Sequence, residues 1–163
     1  MFFSDTFRAL DKAEVRYLVV GGVAVVLHGF VRATADLDLI VDFEPTNLSR
    51  FLGLMKSRGY LPKPPVPLEA FADPENRRVW REEKGMKVFT VHHPERVGEL
   101  VDIFSWEPFP FGEAYVRRLV VPMDGYSISV AAIADLIALK RPAGRPQDLE
   151  DIKAMEARLR AGS

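Results

Sequence analysis

The 163-residue sequence predicts an α+β fold, a mixed central β-sheet with helices packed on it. Three observations predict it. Short apolar runs stop at glycine turns, as Val15 to Val20 does before Gly21-Gly22. Acids alternate with aliphatics from Asp36 onward, at the two-residue period of a strand. Apolar residues three and four apart recur near both ends of the chain, at the period of a helix face.

The elements follow in order. Phe3, Phe7 and Leu10 give a first helix over Ser4 to Lys12, with Ser4 as its N-cap. Val15 to Val20 is a buried strand. Gly22 to Leu27 is a short helix of small residues that ends near His28-Gly29. Leu37, Leu39 and Val41 alternate with Asp36, Asp38 and Asp42 in the next strand. Leu48, Phe51, Leu52 and Met55 mark an amphipathic helix that Gly59 stops. Five prolines from Pro62 to Pro74 make Leu61 to Asn76 an irregular surface loop or flap. Three strands are expected next, over Arg78 to Arg81, Met86 to His92 and Glu99 to Phe104. A hairpin pairs Arg117 to Val121 with Tyr126 to Val130 through Asp124-Gly125. Ser129 is expected to cap a helix through Ile133, Leu136 and Ile137, which Pro142 breaks. The last helix carries Leu149, Ile152, Met155 and Leu159 on one face. The length suits a single domain, 1–163, with one core.

Composition narrows the function classes. Hydrophobic residues are 48% and charged residues 28%, which is a globular balance. No apolar run approaches the ~20 residues of a membrane helix. Met1-Phe2-Phe3-Ser4-Asp5 has no basic region followed by an apolar stretch, so a cytoplasmic protein with no membrane partner is expected. The absence of cysteine excludes disulfides, thiolate metal sites and a cysteine nucleophile. A net charge of −1 argues against a broad nucleic-acid footprint. Arg77, Arg78 and Arg81, and separately Lys140, Arg141 and Arg145, are the two local basic clusters, both read as solvated faces.

The chemistry points to carboxylates. Asp36 and Asp38 leave the same face of one strand, about 6.6 Å apart at strand rise. Two acids in a run otherwise made of Leu, Ile and Val conflict with strand propensity, and such conflicts gather at functional sites. Carboxylates so placed can converge on one or two hard cations. Asp102 is a third acid in an apolar run, Leu100 to Phe104, and can serve as a ligand or as a base for an acceptor hydroxyl. Gly21-Gly22 opens a helix after a strand, where backbone N–H groups can approach phosphate. His28 reads as a packed, hydrogen-bonded histidine and His92-His93-Pro94 as a turn. Trp80 and Trp106 read as core packing rather than base-stacking platforms.

Taken together, Leu18-Val19-Val20-Gly21-Gly22, Ala24, Asp36-Leu37-Asp38-Leu39 and Val101-Asp102-Ile103 resemble the nucleotidyltransferase superfamily, the DNA polymerase β-like group. The stretch from Gly21 to Asp38 with His28-Gly29, Arg32 and Thr34 is similar to small prokaryotic AbiEii-type proteins. So is Leu139-Lys140 followed by Gly144 to Ile152. Glycine stands at position 22, where serine is commoner.

The resemblance spans Arg16 to Met155 and implies transfer of a nucleoside monophosphate from a triphosphate, with pyrophosphate released. It implies that Asp36, Asp38 and Asp102 hold magnesium, as two ions, with manganese as a possible substitute. Gly21, Gly22, Arg32 and Lys140 would meet the nucleotide. Asp148, preferred over Asp151, would support catalysis, or else cap the last helix. The implied acceptor is RNA, such as a tRNA end, or a protein side chain, and the implied setting is the toxin of a toxin–antitoxin system, with an antitoxin partner. Two rivals stay open. One is a nucleotide- or protein-binding module of the same fold without turnover. The other is an antibiotic nucleotidyltransferase, which needs an open pocket for a small hydroxylated drug. A basic groove beside the acids would favour RNA.

Overall fold

The computed structural model describes residues 3–162, so Met1 and Phe2, part of the N-terminal reading, lie outside the described residues. The apolar run before Gly21 forms β1 (Tyr17–Val20), with all four residues buried. Burial on both faces is the mark of an interior strand covered on each side. The alternating run forms β2 (Leu37–Val41). Around these two the sheet grows to seven strands: β3 (Leu61–Pro62), β4 (Val88–His92), β5 (Leu100–Phe104), β6 (Leu119–Pro122) and β7 (Ser127–Val130). Their spatial order is β3-β4-β5-β2-β1-β7-β6. The sheet is mixed, as expected. The β1–β2, β4–β5, β3–β4 and β6–β7 pairs are antiparallel, and the β2–β5 and β1–β7 pairs are parallel.

Seven α-helices accompany it among the described residues: α1 (Ser4–Lys12), α2 (Gly21–Leu27), α3 (Pro45–Ser57), α4 (Pro74–Glu82), α5 (Phe111–Val116), α6 (Ile133–Lys140) and α7 (Pro146–Gly162). A 3-10 helix covers Leu68–Ala72. Helix α1 packs on α3, α3 on the 3-10 helix, and the 3-10 helix on α4, while α6 and α7 pack as a pair. Phe7, Leu10, Phe51 and Met55 are fully buried where the amphipathic pattern places them. No helix among the described residues is long and apolar enough to cross a membrane.

Several local expectations are corrected. Helix α1 covers the expected residues, but its N-cap is Phe3, in a left-handed conformation (φ 67°) and without a side-chain cap. The expected strand over Arg78 to Arg81 is part of α4. Asp73 caps that helix through a 2.9 Å bond from the Glu75 amide, and Pro74 occupies its first turn. Arg78 then pairs with Glu75 and Glu82 along the exposed face, while Trp80 packs against Phe89 in the core. The proline-rich stretch is thus structured over much of its length. Helix α5 was not expected; the Glu107 carboxylate accepts a bond from the Phe111 amide at its start (2.6 Å). Ser129 lies within β7, where its hydroxyl accepts from Arg118, and Ala132 is the N-cap of α6. Helix α7 turns a different face inward. Asp148, Asp151, Ile152 and Met155 are buried, whereas Leu149 and Leu159 are 56% and 44% exposed.

Candidate active site

Strand β1 delivers the chain to a turn at Gly21 (φ 68°), from which α2 starts. The positive φ favours glycine, and the space demands it: a Cβ here would run into the Asp38 carboxylate. A Cβ on Gly22 would run into the Thr34 hydroxyl and crowd the Arg32 guanidinium. Thr34 and Arg32 therefore fill the space a serine would need at position 22.

The sheet register assembles the acids. Val20 pairs with Asp38 across β1–β2, and Asp38 pairs with Asp102 across β2–β5. Asp36 sits in the bend just before β2. Burial, reinforced by Asp102 and Asp36, pushes the Asp38 carboxyl up to about 7, with Lys140 and Arg145 pulling the other way. Asp36 is raised by burial and by Asp102, against Lys63. Asp102 is oriented from the far side: Thr90, its partner across β4–β5, donates a 2.6 Å bond to Oδ1.

This set offers only hard oxygen donors, the chemistry that suits magnesium or manganese. The mutual repulsion around Asp38 is what a cation would relieve, so the residues fit such a group. Among the described residues, no cluster of three or more acidic or histidine side chains stands arranged as a ready metal cage.

Beside the acids lies a second charged group, built from α6 and α7. Lys140 Nζ is 3.1 Å from Asp151 and 3.6 Å from Asp148, and all three residues are buried. Asp151 also receives Arg32 Nη1 at 2.8 Å and Gln147 at 3.0 Å. Asp148 receives Arg145 Nε at 2.7 Å and the Arg145 amide at 3.3 Å. The amide bond is the capping interaction anticipated for Asp148. Burial alone would raise the Asp148 carboxyl, but Arg145 and Lys140 hold it below its ordinary range.

Asp38, Gly21, Lys140, Arg145 and Asp148 share a cleft of about 630 Å³. Lys87, Phe104, Trp106 and Phe109 form much of its wall. Trp106 stacks on Phe104 (6.3 Å between ring centroids) and lies under the Arg81 guanidinium.

The structure thus brings together Gly21, Asp36, Asp38 and Asp102, and sets Lys140 and Asp148 in one cleft with Gly21 and Asp38. Gly22 and Arg32 adjoin the turn, with Arg32 tied to Asp151. Thr90, Lys87 and the pivotal place of Asp151 were not foreseen; a threonine in a strand and a lysine just before its start carry no sequence signal of their own. Trp106 was expected to be core and instead lines the cleft. His28 is packed as expected, with Nε2 2.8 Å from the Ala131 carbonyl. Neither basic cluster is a free patch: Arg77 and Lys140 are buried, and Arg78, Arg141 and Arg145 pair with acids.

Residues 4–159 match the family described as nucleotidyltransferase of unknown function (DUF6036). The chain belongs to this nucleotidyltransferase family. No curated protein matches it in sequence. Solved structures share the fold. A lincosamide antibiotic adenylyltransferase, LnuA, with lincomycin bound, has 16% identity and a TM-score of 0.57 over 90% of this chain and 89% of that one. ANT(2")-Ia, in complex with adenylyl-2"-tobramycin, has 15% identity and a TM-score of 0.56 over 93% and 83%. An antigenic nucleotidyltransferase-like protein from Paracoccidioides brasiliensis has 18% identity and a TM-score of 0.55 over 93% and 72%. At these identities the likeness establishes the fold.

Proposed function

We propose that this nucleotidyltransferase-family chain moves a nucleoside monophosphate from a nucleoside triphosphate to a hydroxyl of a small molecule. The observation that carries this reading is the cleft of about 630 Å³, where Asp38 and Gly21 face an aromatic wall. Its size lies within the ~300–1,000 Å³ of small-molecule sites. Two structures that share the fold hold an antibiotic or a nucleotidylated antibiotic.

The acceptor oxygen bonds to the α-phosphorus, the bond to the bridging oxygen breaks, and pyrophosphate leaves with the electron pair. Asp36 and Asp38 are the residues to hold magnesium or manganese. A bound cation supplies charge stabilisation on the phosphates. Asp102, one oxygen fixed by Thr90, takes the hydroxyl proton or completes the cation's ligands. The turn at Gly21 and Gly22, where α2 starts, offers backbone N–H groups to phosphate. Lys140 and Arg32 place positive charge beside it, both held by Asp151.

The resemblance to AbiEii-type proteins supports a second reading, with an RNA or protein acceptor and an antitoxin partner. The pairing of Lys140, Arg141 and Arg145, the cluster nearest the cleft, with acids weighs against it, because RNA is drawn to unpaired positive charge.

The test is incubation of the protein with each α-labelled triphosphate and magnesium, alongside Asp38→Asn. Aminoglycosides, lincosamides and bulk tRNA are offered in parallel as acceptors. The proposal expects label on a hydroxylated small molecule and none with the variant. Label on RNA moves the function to the second reading. Magnesium-dependent triphosphate binding with no transfer to any acceptor leaves a binding module.

A further inference from the structure

A second cavity, of about 380 Å³, opens between α3, the 3-10 helix and the start of α4. It is remote from the acids along the sheet. Phe43 and Pro45, which line it, follow the end of β2, whereas Asp36 and Asp38 stand at its beginning. Its walls are mostly apolar, with Leu48, Leu52 and Leu68 among them, and Lys56 and Glu69 form an exposed 2.6 Å ion pair at its rim.

The unusual feature is Arg77. It lines this groove and is 7% exposed, yet among the described residues no carboxylate lies within ion-pair distance of it. Its guanidinium sits 4.2 Å from the Phe43 ring centroid and 5.6 Å from that of Phe71. Nη1 donates to the Phe71 carbonyl (2.6 Å). Nε and Nη2 bond to no protein group, and neither is closed off from solvent. The nearest acid acting on it, Asp73, is engaged as the cap of α4. A guanidinium presents up to five donors in a planar fork that matches a carboxylate. Buried charge is ordinarily paired. Two ring faces and one carbonyl leave this cation short of a counter-ion where it lines the groove.

We propose that the groove is a binding site for a small carboxylate with a hydrocarbon body, the carboxylate on Arg77 and the body against the leucines. Arg77 supplies the charge, the apolar walls supply the affinity for the body, and neither part serves the nucleotide cleft. The site stands independently of the acceptor assigned above.

Titration calorimetry with octanoate and with octan-1-ol tests it directly. The expected result is saturable one-to-one binding of octanoate, at least tenfold tighter than the alcohol and unchanged by saturating ATP and magnesium. Two variants locate the site. Arg77→Gln should weaken octanoate at least tenfold while sparing the alcohol. Gly53→Leu should abolish binding of both. Gly53 lines the groove from α3, and a Cβ there meets no atom within 4 Å, so a side chain can leave this position without a clash at its first carbon. This variant keeps the test decisive if Arg77→Gln fails to fold. No octanoate binding, equal binding of the alcohol, displacement by ATP, or undiminished binding by Gly53→Leu would each overturn the proposal.

Discussion

Two charged regions meet at the cleft, through Asp38 on one side and Lys140, Arg145 and Asp148 on the other, and are built on opposite rules. On the sheet, Asp36, Asp38 and Asp102 crowd like charges together, and among the described residues only the Thr90 hydroxyl bonds to one of their carboxylates directly. On α6, α7 and the turn between them, charges alternate in sign along the chain of contacts Arg145, Asp148, Lys140, Asp151, and each has at least one partner within 3.6 Å. The first region holds electrostatic strain that an arriving cation and triphosphate would relieve. The second is already neutral and fixes the place of its cations. A site needs both: a surface that is unsatisfied until the ligand arrives, and a frame that does not collapse while it waits.

Asp38→Asn gives the largest test of that contrast. Nucleotidyl transfer should fall on the order of a thousandfold, since a lost cation ligand removes several kcal/mol of transition-state stabilisation. The fold should respond in the opposite sense. The Asp38 carboxyl titrates near 7 in the folded protein, against 3.8 as the ordinary value. Between those values the folded chain holds a proton that the unfolded chain has released, so wild-type stability falls as pH rises from about 4 to about 7. Above that window the whole cost is present. At about 1.4 kcal/mol per unit, the variant should be more stable than wild type at pH 8 by up to ~4 kcal/mol, and little changed at pH 4. Urea unfolding at the two pH values decides it. A variant that is less stable at pH 8 would mean the acids are not strained.

Lys140→Ala should do the reverse, because it removes a cation from the neutral cluster. Breaking a buried pair costs ~3–5 kcal/mol, and the low end applies here, since Asp148 keeps Arg145 and Asp151 keeps Arg32. Chemical denaturation should show a loss of about 3 kcal/mol at pH 7. A loss below about 1 kcal/mol would show that Lys140 is not integral to the frame.

The acid surface was legible in the sequence because its signals are local. Asp36 and Asp38 interrupt an aliphatic strand, Gly21 ends a buried one, and Asp102 breaks a third. The neutral frame was much less legible. Lys140 and Asp148 carried a resemblance, but the bond from Arg32 to Asp151, which also holds Lys140, joins residues 119 apart in the chain, and no period encodes that. Helix α4 fell between the two cases. Asp73-Pro74-Glu75 is a helix start in plain sight, yet the expectation over Arg78 to Arg81 was a strand. The aromatic pocket of Phe71 and Phe89 holds Trp80 equally well from a helix.

Position 22 sharpens the comparison on the side of the turn. The resemblance makes serine the commoner residue there, but Thr34 and Arg32 occupy the space. Gly22→Ser should cost about 2 kcal/mol by overpacking. Pairing it with Thr34→Ala should recover a good part of that, as residues in contact are non-additive. Equal losses in the single and double variants would show that Thr34 is not what excludes the serine.

The smallest expected effect tests why α7 presents the face it does. Its apolar pattern, Leu149, Ile152, Met155 and Leu159, predicts a buried stripe, and two of the four residues are exposed instead. Asp148 and Asp151 take the inward positions because Lys140, Arg145 and Arg32 are there to receive them. Ion pairing at the start of the helix sets its rotation, and Ile152 and Met155 are the apolar residues that this rotation still buries. Leu149→Gln should therefore change stability by no more than about 0.5 kcal/mol, as an exposed substitution does. Met155→Ala should cost ~2–5 kcal/mol. If Leu149→Gln proved as costly as Met155→Ala, the leucine stripe would be buried in solution, Asp148 and Asp151 would be turned away from Lys140, and the neutral frame would not exist.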